Sequence, residues 1–233
     1  LAVHEHVELG ELLYRNPLAH EEDVKAFVME GDGAVSFPLG RMRLESRRDP
    51  QEGQAANIVY WCHETFPDDI VIRWKFWPIR QPGLCILFFS AAGRGGEDLF
   101  DPALQPRTGI YEQYHHGDIN AYHLSYFRKS YASERRFQTC NLRKSYGFHL
   151  TAQGADPIPS IADCDPPYRM QVVKSGPHIR FYIDDLLLFH FVDDGATYGP
   201  VLDGGKIGFR QMAPLIAEYS DFEVYQRKSM NGG

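Results

Sequence analysis

The sequence lacks any apolar run close to the roughly twenty residues that a membrane-spanning helix needs. The longest such run, residues 84–89, is the length of a strand. A spanning helix is excluded, and no membrane partner is expected. An excess of positive charge is also missing: 24 Lys and Arg stand against 31 Asp and Glu, a formal net charge of −7. The global positive field on which non-specific nucleic-acid binding relies is therefore absent, and no nucleic-acid partner is expected. Cysteine is scarce. Cys62, Cys85, Cys140 and Cys164 form no CxxC pair, and a chain of 233 residues is long enough to bury a core without disulfide staples. The thiols are expected to be reduced and mostly buried, which places the chain in the cytoplasm. Residues 1–20 carry charges and histidines where a signal peptide would carry an apolar core. Either a leader has been removed or the start has been trimmed.

Turn formers and rings are abundant: 21 Gly and 15 Pro accompany an aromatic share of 13%. That combination favours short strands over helices. One short helix is expected at His20-Glu21-Glu22-Asp23, whose carboxylates suit a helix N-terminus. Strands are predicted over 34–37, 41–45, 57–63, 70–77, 84–90, 110–116, 121–128, 148–152, 169–174, 179–183, 187–191, 206–212 and 221–226. The polar stretch 91–107, rich in Gly and Pro, reads as a surface loop. About a dozen strands with polar turns predict an all-β fold, an antiparallel two-sheet jelly-roll sandwich. A single domain is expected over 1–227, with 228–233 as a disordered tail.

Tyr168 to Gly176, then Ile179-Arg180-Phe181-Tyr182-Ile183-Asp184, then Gly204-Gly205-Lys206-Ile207-Gly208-Phe209-Arg210 and Asp221-Phe222-Glu223-Val224-Tyr225 resemble the closing strands of concanavalin A-like lectin/glucanase jelly rolls. A narrower resemblance rests on Phe66-Pro67-Asp68-Asp69, on residues 82–91, on residues 121–128 and on Cys140-Asn141-Leu142-Arg143-Lys144. These are similar to the YesU-like family of bacterial jelly-roll proteins, a domain of unknown function. That resemblance implies a carbohydrate setting, pectic rhamnogalacturonan use, and supplies no catalytic residues. Asp221 resembles the position from which some lectin-like jelly rolls bind a structural Ca²⁺ together with an acid from the N-terminal segment, here Glu30. No other cofactor is implied.

Pairing 110–116 with 121–128 through a four-residue turn puts Tyr114 opposite His123. Alternation then groups Glu112, Tyr114, His116, His123 and Ser125 on one face and Tyr111, Gln113, His115, Tyr122, Tyr126 and Arg128 on the other. A bulge or one-residue slip would exchange these partners. Between 128 and 144 six cations (Arg128, Lys129, Arg135, Arg136, Arg143, Lys144) face one acid, Glu134, which suits a carboxylate-bearing sugar. No predicted strand carries the alternating acids of a glycoside hydrolase. β-Elimination from a uronate needs a carboxylate neutraliser, a proton acceptor and a proton donor. Arg143 or Arg210 with Asn141, His123 or His115, and Tyr114 or Tyr126 supply those three types. Trp61, Trp77, Gln113, Asn141, His149 and Arg210 are the expected binding residues for an oligosaccharide partner. The alternative is a lectin-like protein that binds sugar without turnover. His4-Glu5-His6 and His115-His116 lack metal-ligand spacing. The sequence leaves the oligomeric state open.

Overall fold

A computed structural model describes residues 7–129 and 138–228. Fifteen strands follow in chain order. They are β1 (Leu9–Asn16), β2 (Val28–Glu30), β3 (Gly33–Ser36), β4 (Met42–Ser46), β5 (Ile58–Trp61), β6 (Ile70–Arg80), β7 (Gly83–Gly93) and β8 (Ile119–Lys129). The rest are β9 (Thr139–Lys144), β10 (His149–Ala155), β11 (Tyr168–Ser175), β12 (His178–Ile183), β13 (Leu186–Val192), β14 (Lys206–Gln211) and β15 (Ile216–Arg227). Among the described residues two α-helical turns, α1 (Glu21–Val24) and α2 (Glu112–His115), and three short 3-10 turns interrupt them. The first sheet runs β13-β12-β11-β6-β15-β4-β3, with β1 also on β15, and the second runs β10-β9-β8-β7-β14-β5-β2. Their strand pairings are antiparallel. This is the expected two-sheet jelly roll.

Alternation explains the layers. Along β6, Ile72, Trp74 and Phe76 are buried in the core between the sheets, while Arg73, Lys75 and Trp77 are partly exposed on the far side. Side chains two apart on a strand share a face, so an apolar-polar repeat specifies which face meets the other sheet. In the second sheet both faces are covered. Tyr122, Leu124 and Tyr126 of β8 enter the main core, whereas Ala121 packs in a second apolar cluster on the outer face. Cys62, Cys85 and Cys140 are buried and Cys164 is partly exposed, all four as free thiols. Among the described residues no helix is long and apolar enough to cross a membrane.

The expected strand over 110–116 does not form. The neighbours of β8 are β7 and β9, so Tyr114 does not pair with His123. Residues 112–115 make a helical turn instead. Tyr111 and Tyr114, three apart, both turn toward the sheet, in keeping with helical rather than strand spacing. Gly109, at φ 91°, admits the sharp entry into that turn. The face groupings drawn from that hairpin are therefore corrected. Tyr126 is wholly buried in the main core, 5.1 Å from the Phe76 ring, and is not beside the site. A bulge at Phe127, φ 47°, sends that ring inward beside Tyr126 and re-aims Arg128 to the outer face. The tail over 229–233, His4-Glu5-His6, Glu134, Arg135 and Arg136 lie outside the described residues; Lys228 is exposed.

Candidate functional site

Strand register builds the outer face of the second sheet in rows. His123 of β8 stands between Arg143 of β9 and Phe88 of β7, and Phe88 is followed by Gly208 and Trp61. One row along, Ser125 stands between Asn141 and Ile86, followed by Arg210 and Val59. A cavity of about 340 Å³ opens over these rows, walled by Tyr111, Phe148, Gln54 and Asn57, with Leu84 and Met212 beside Ile86 and with Arg128 at the bulge. Arg128, Arg143 and Arg210 line it, and among the described residues no carboxylate does.

The polar groups are held by short bonds. Tyr111 Oη lies 3.0 Å from His123 Nε2, and His123 Nδ1 lies 2.8 Å from Ser145 Oγ, a three-member chain that can pass one proton along its length. His123 is almost wholly buried, and burial, aided by the fields of Arg143, Arg210 and His115, holds its proton affinity well below 6.5. It therefore rests as neutral imidazole. Burial raises the Tyr111 phenol while Arg210, Arg143 and Arg128 oppose that rise. Arg210 donates Nη1 to Gly109 O at 2.8 Å and stacks over Tyr111, 4.7 Å from its ring centre. The Arg143 guanidinium lies 3.9 Å above the Phe148 ring and donates to Phe148 O at 2.8 Å. Asn141 accepts from Gln153 at 2.8 Å.

Of the residues singled out by sequence, His123, Asn141, Arg143 and Arg210 meet in this cavity. Tyr114 lies beneath it, stacked on Phe88, and donates its hydroxyl to Glu30 at 2.8 Å. His115 packs edge-on against Tyr111, its pKa lowered to about 4 by burial and then by His116, and does not line the cavity. Trp61 is fully buried and donates Nε1 to Glu30 at 2.8 Å. Trp77 belongs to the other sheet, with the Arg41 guanidinium 4.5 Å over its ring. Gln113 accepts from the Thr108 amide, and His149 stacks on Tyr198 at 4.3 Å. Glu30 and Asp221 are on different sheets. Glu30 is taken by Trp61, Tyr114 and Arg107, and Asp221 pairs with Lys75, so the pair does not fit a shared calcium ion. Tyr111, Gln54, Asn57, Ser125, Arg128 and Phe148 complete the site. The i, i+3 spacing of Tyr111 and Tyr114 was the one signal for the first of these; nothing local marks Gln54 or Asn57.

Fold and cavity together define a galectin-like jelly roll with an arginine-lined pocket on the outer face of one sheet. The chain belongs to the family described as Domain of unknown function (DUF1961), matched over residues 11–224. It is 58% identical to the uncharacterized protein YesU of Bacillus subtilis (strain 168), over 93% of this chain and 96% of that one. A solved protein of unknown function with a galectin-like fold, also from Bacillus subtilis, superimposes with a TM-score of 0.91 at 57% identity, covering 94% of this chain and 97% of that one. The β-glucanase of Bacillus licheniformis shares the fold alone: TM-score 0.57 and 13% identity, over 94% of this chain and all of that one (100%).

Proposed function

We propose that the protein acts on acidic oligosaccharides and cleaves next to a uronate by β-elimination. The observation that carries this reading is a cavity lined, among the described residues, by three arginines and no carboxylate, beside a tyrosine hydrogen-bonded to a buried neutral histidine. Among the described residues, hydrolysis by paired acids has no residues to use there. Fold-level likeness to a β-glucanase agrees with a sugar ligand without selecting the chemistry.

In this reading Arg143 and Arg210, with Asn141, pair with the substrate carboxylate and acidify the C5 proton. The same pairing offsets the arginine field on His123, the smaller of the two causes that hold its proton affinity down, burial being the larger. Tyr111 passes its proton to His123 Nε2 as its oxygen takes the proton from C5. The C5–H electrons become the C4–C5 double bond and the C4–O bond breaks. The departing oxygen takes the proton from Tyr111, and His123 returns its own to the phenolate. No outside acid or base is consumed.

The test is incubation with uronate oligosaccharides while following absorbance of the unsaturated product. Turnover is expected in the parent, with Tyr111→Phe slower by about 10²–10⁴ because a proton-transfer group is lost. Binding should persist in that variant and weaken with added salt. Salt-sensitive binding without turnover in the parent assigns a lectin-like role instead, and failure to bind any acidic oligosaccharide ends both readings.

A further inference from the structure

We infer that this pocket takes the end of an acidic chain, not an internal stretch of one. The inference rests on the acidic-oligosaccharide reading and adds to it which part of the chain is held. A groove crossing the whole outer face of the second sheet would let a polymer run through. Half of that face is closed. The segment between β7 and β8 lies across β7, β14 and β5, where its Leu99, Leu104 and Tyr114 pack on Val59, Trp61 and Phe88 in an apolar cluster of their own. Val59, Trp61 and Phe88 have no exposed surface, although they point away from the main core.

The cover is built in rather than a movable flap. Tyr114 and Trp61 both donate to Glu30, and Arg107 pairs with the same carboxylate at 2.9 Å while donating to Leu99 O at 2.8 Å. Three donors on two segments, β5 and the β7–β8 segment, thus share one buried acid carried by β2, and releasing the cover would strand that charge. Where the cover meets the open half stands Arg210, 2% exposed, tied to Gly109 O and to Gln54 Oε1. That guanidinium forms the blind end. On the opposite side, Leu150 and Gln153 of the edge strand β10 are exposed. The volume, about 340 Å³, is near the floor of the range for small-ligand sites, room for roughly one or two sugar rings.

A ligand seated with its carboxylate on Arg210 therefore has its remaining units leading out over β9 and β10. The substrate class is a short acidic oligosaccharide or the terminus of a longer one. Such chain ends are what an internally cleaving depolymerase produces, so a reaction of that class supplies this substrate.

The test titrates the Tyr111→Phe variant with linear uronate chains of several lengths, each of known number concentration, by calorimetry. One protein bound per chain is expected, whether the chain is a trisaccharide or a long polymer. Stoichiometry that rises in proportion to chain length overturns the inference and leaves the acidic-ligand reading intact. Absence of binding at every length overturns both. Products of the parent enzyme give a second readout. A single small unsaturated product from the first minutes, with slow loss of polymer viscosity, supports the inference; a ladder of sizes with early viscosity collapse refutes it.

Discussion

Glu30 illustrates how a residue's surroundings decide its role. An acid on a short strand near the N-terminus looks like a cation ligand in sequence. In the fold its two oxygens face an indole N–H, a phenol and a guanidinium, all within 3.0 Å and nearly buried. Each donor has lost its water, so removing the acceptor leaves three donors without it, one of them an uncompensated cation. Glu30→Ala is expected to cost about 3–5 kcal/mol in urea unfolding. Glu30→Gln should cost less, since its amide oxygen still accepts while its NH₂ opposes a donor. A loss below about 1 kcal/mol in the alanine variant would mean that Trp61, Tyr114 and Arg107 find other partners. His123 gives the converse lesson. Its type was legible and Arg143 was expected to share its site, although 139–144 was not read as a strand; in the fold, pairing of β8 with β9 sets the two side by side. Its true partner Tyr111 was not legible, because assigning 110–116 to a strand turned that ring to the wrong face.

At the scale of elements, the closing strands were readable and the cover was not. Residues 169–174 and 179–183 were expected as strands, and β11 and β12 hold them with one residue added at one or both ends. Asp184 and Asp185 make the tight turn into β13 at φ 48° and 68°, a conformation that Asp tolerates. The segment after β7 instead read as a surface loop, since Gly, Pro and acids outnumber its few apolar residues. Leu99, Phe100 and Leu104 have no strand or helix period; their burial follows from tertiary packing on the sheet. The entry to α2 tests that packing. A Cβ at Gly109 would stand 2.0 Å from Asn57 O, and its φ of 91° is strained for any side chain. Gly96 has nearly the same φ, 92°, but open space around it. Gly109→Ala should destabilise by about 2–4 kcal/mol and weaken ligand binding, since Arg210 loses its Gly109 anchor. Gly96→Ala should cost only about 1 kcal/mol and leave binding unchanged. Equal costs in thermal and urea unfolding would show that backbone strain, not the close approach to Asn57, governs both positions.

Across the whole molecule, charge is divided: a net −7 chain keeps three arginines around one outer-face cavity and buries a neutral histidine among them. Composition and turn spacing made the sandwich legible, because strand-forming residues in a chain of this length have few other ways to bury both sheets. The placement of buried ionisable groups depends on which loops cover which face, and that is written in no local pattern. It has a measurable consequence for stability against pH. His123 is held well below 6.5 by burial and then by Arg143 and Arg210, and His115 is lowered to about 4 by burial and then by His116. In the unfolded chain both protonate near about 6.5. As pH falls below that value the unfolded state binds protons that the folded state refuses, so stability declines, by up to about 1.4 kcal/mol per pH unit for each proton. The contribution is fully present above about 6.5 and is lost on acidification. Carboxylates held low, such as Asp193 with its bonds from Lys144 and Tyr122, act only nearer about 4, so the decline across the window from about 6.5 to 5 comes from histidines; Asp156, pushed up by burial, works in the opposite sense as it gains a proton. His123→Asn keeps a donor and an acceptor for Tyr111 and Ser145 without the titration, so its stability should fall less steeply across that window than the parent's. Urea unfolding at a series of pH values measures both slopes, and identical slopes would show that His123 accepts its proton in the folded state as readily as in the unfolded one.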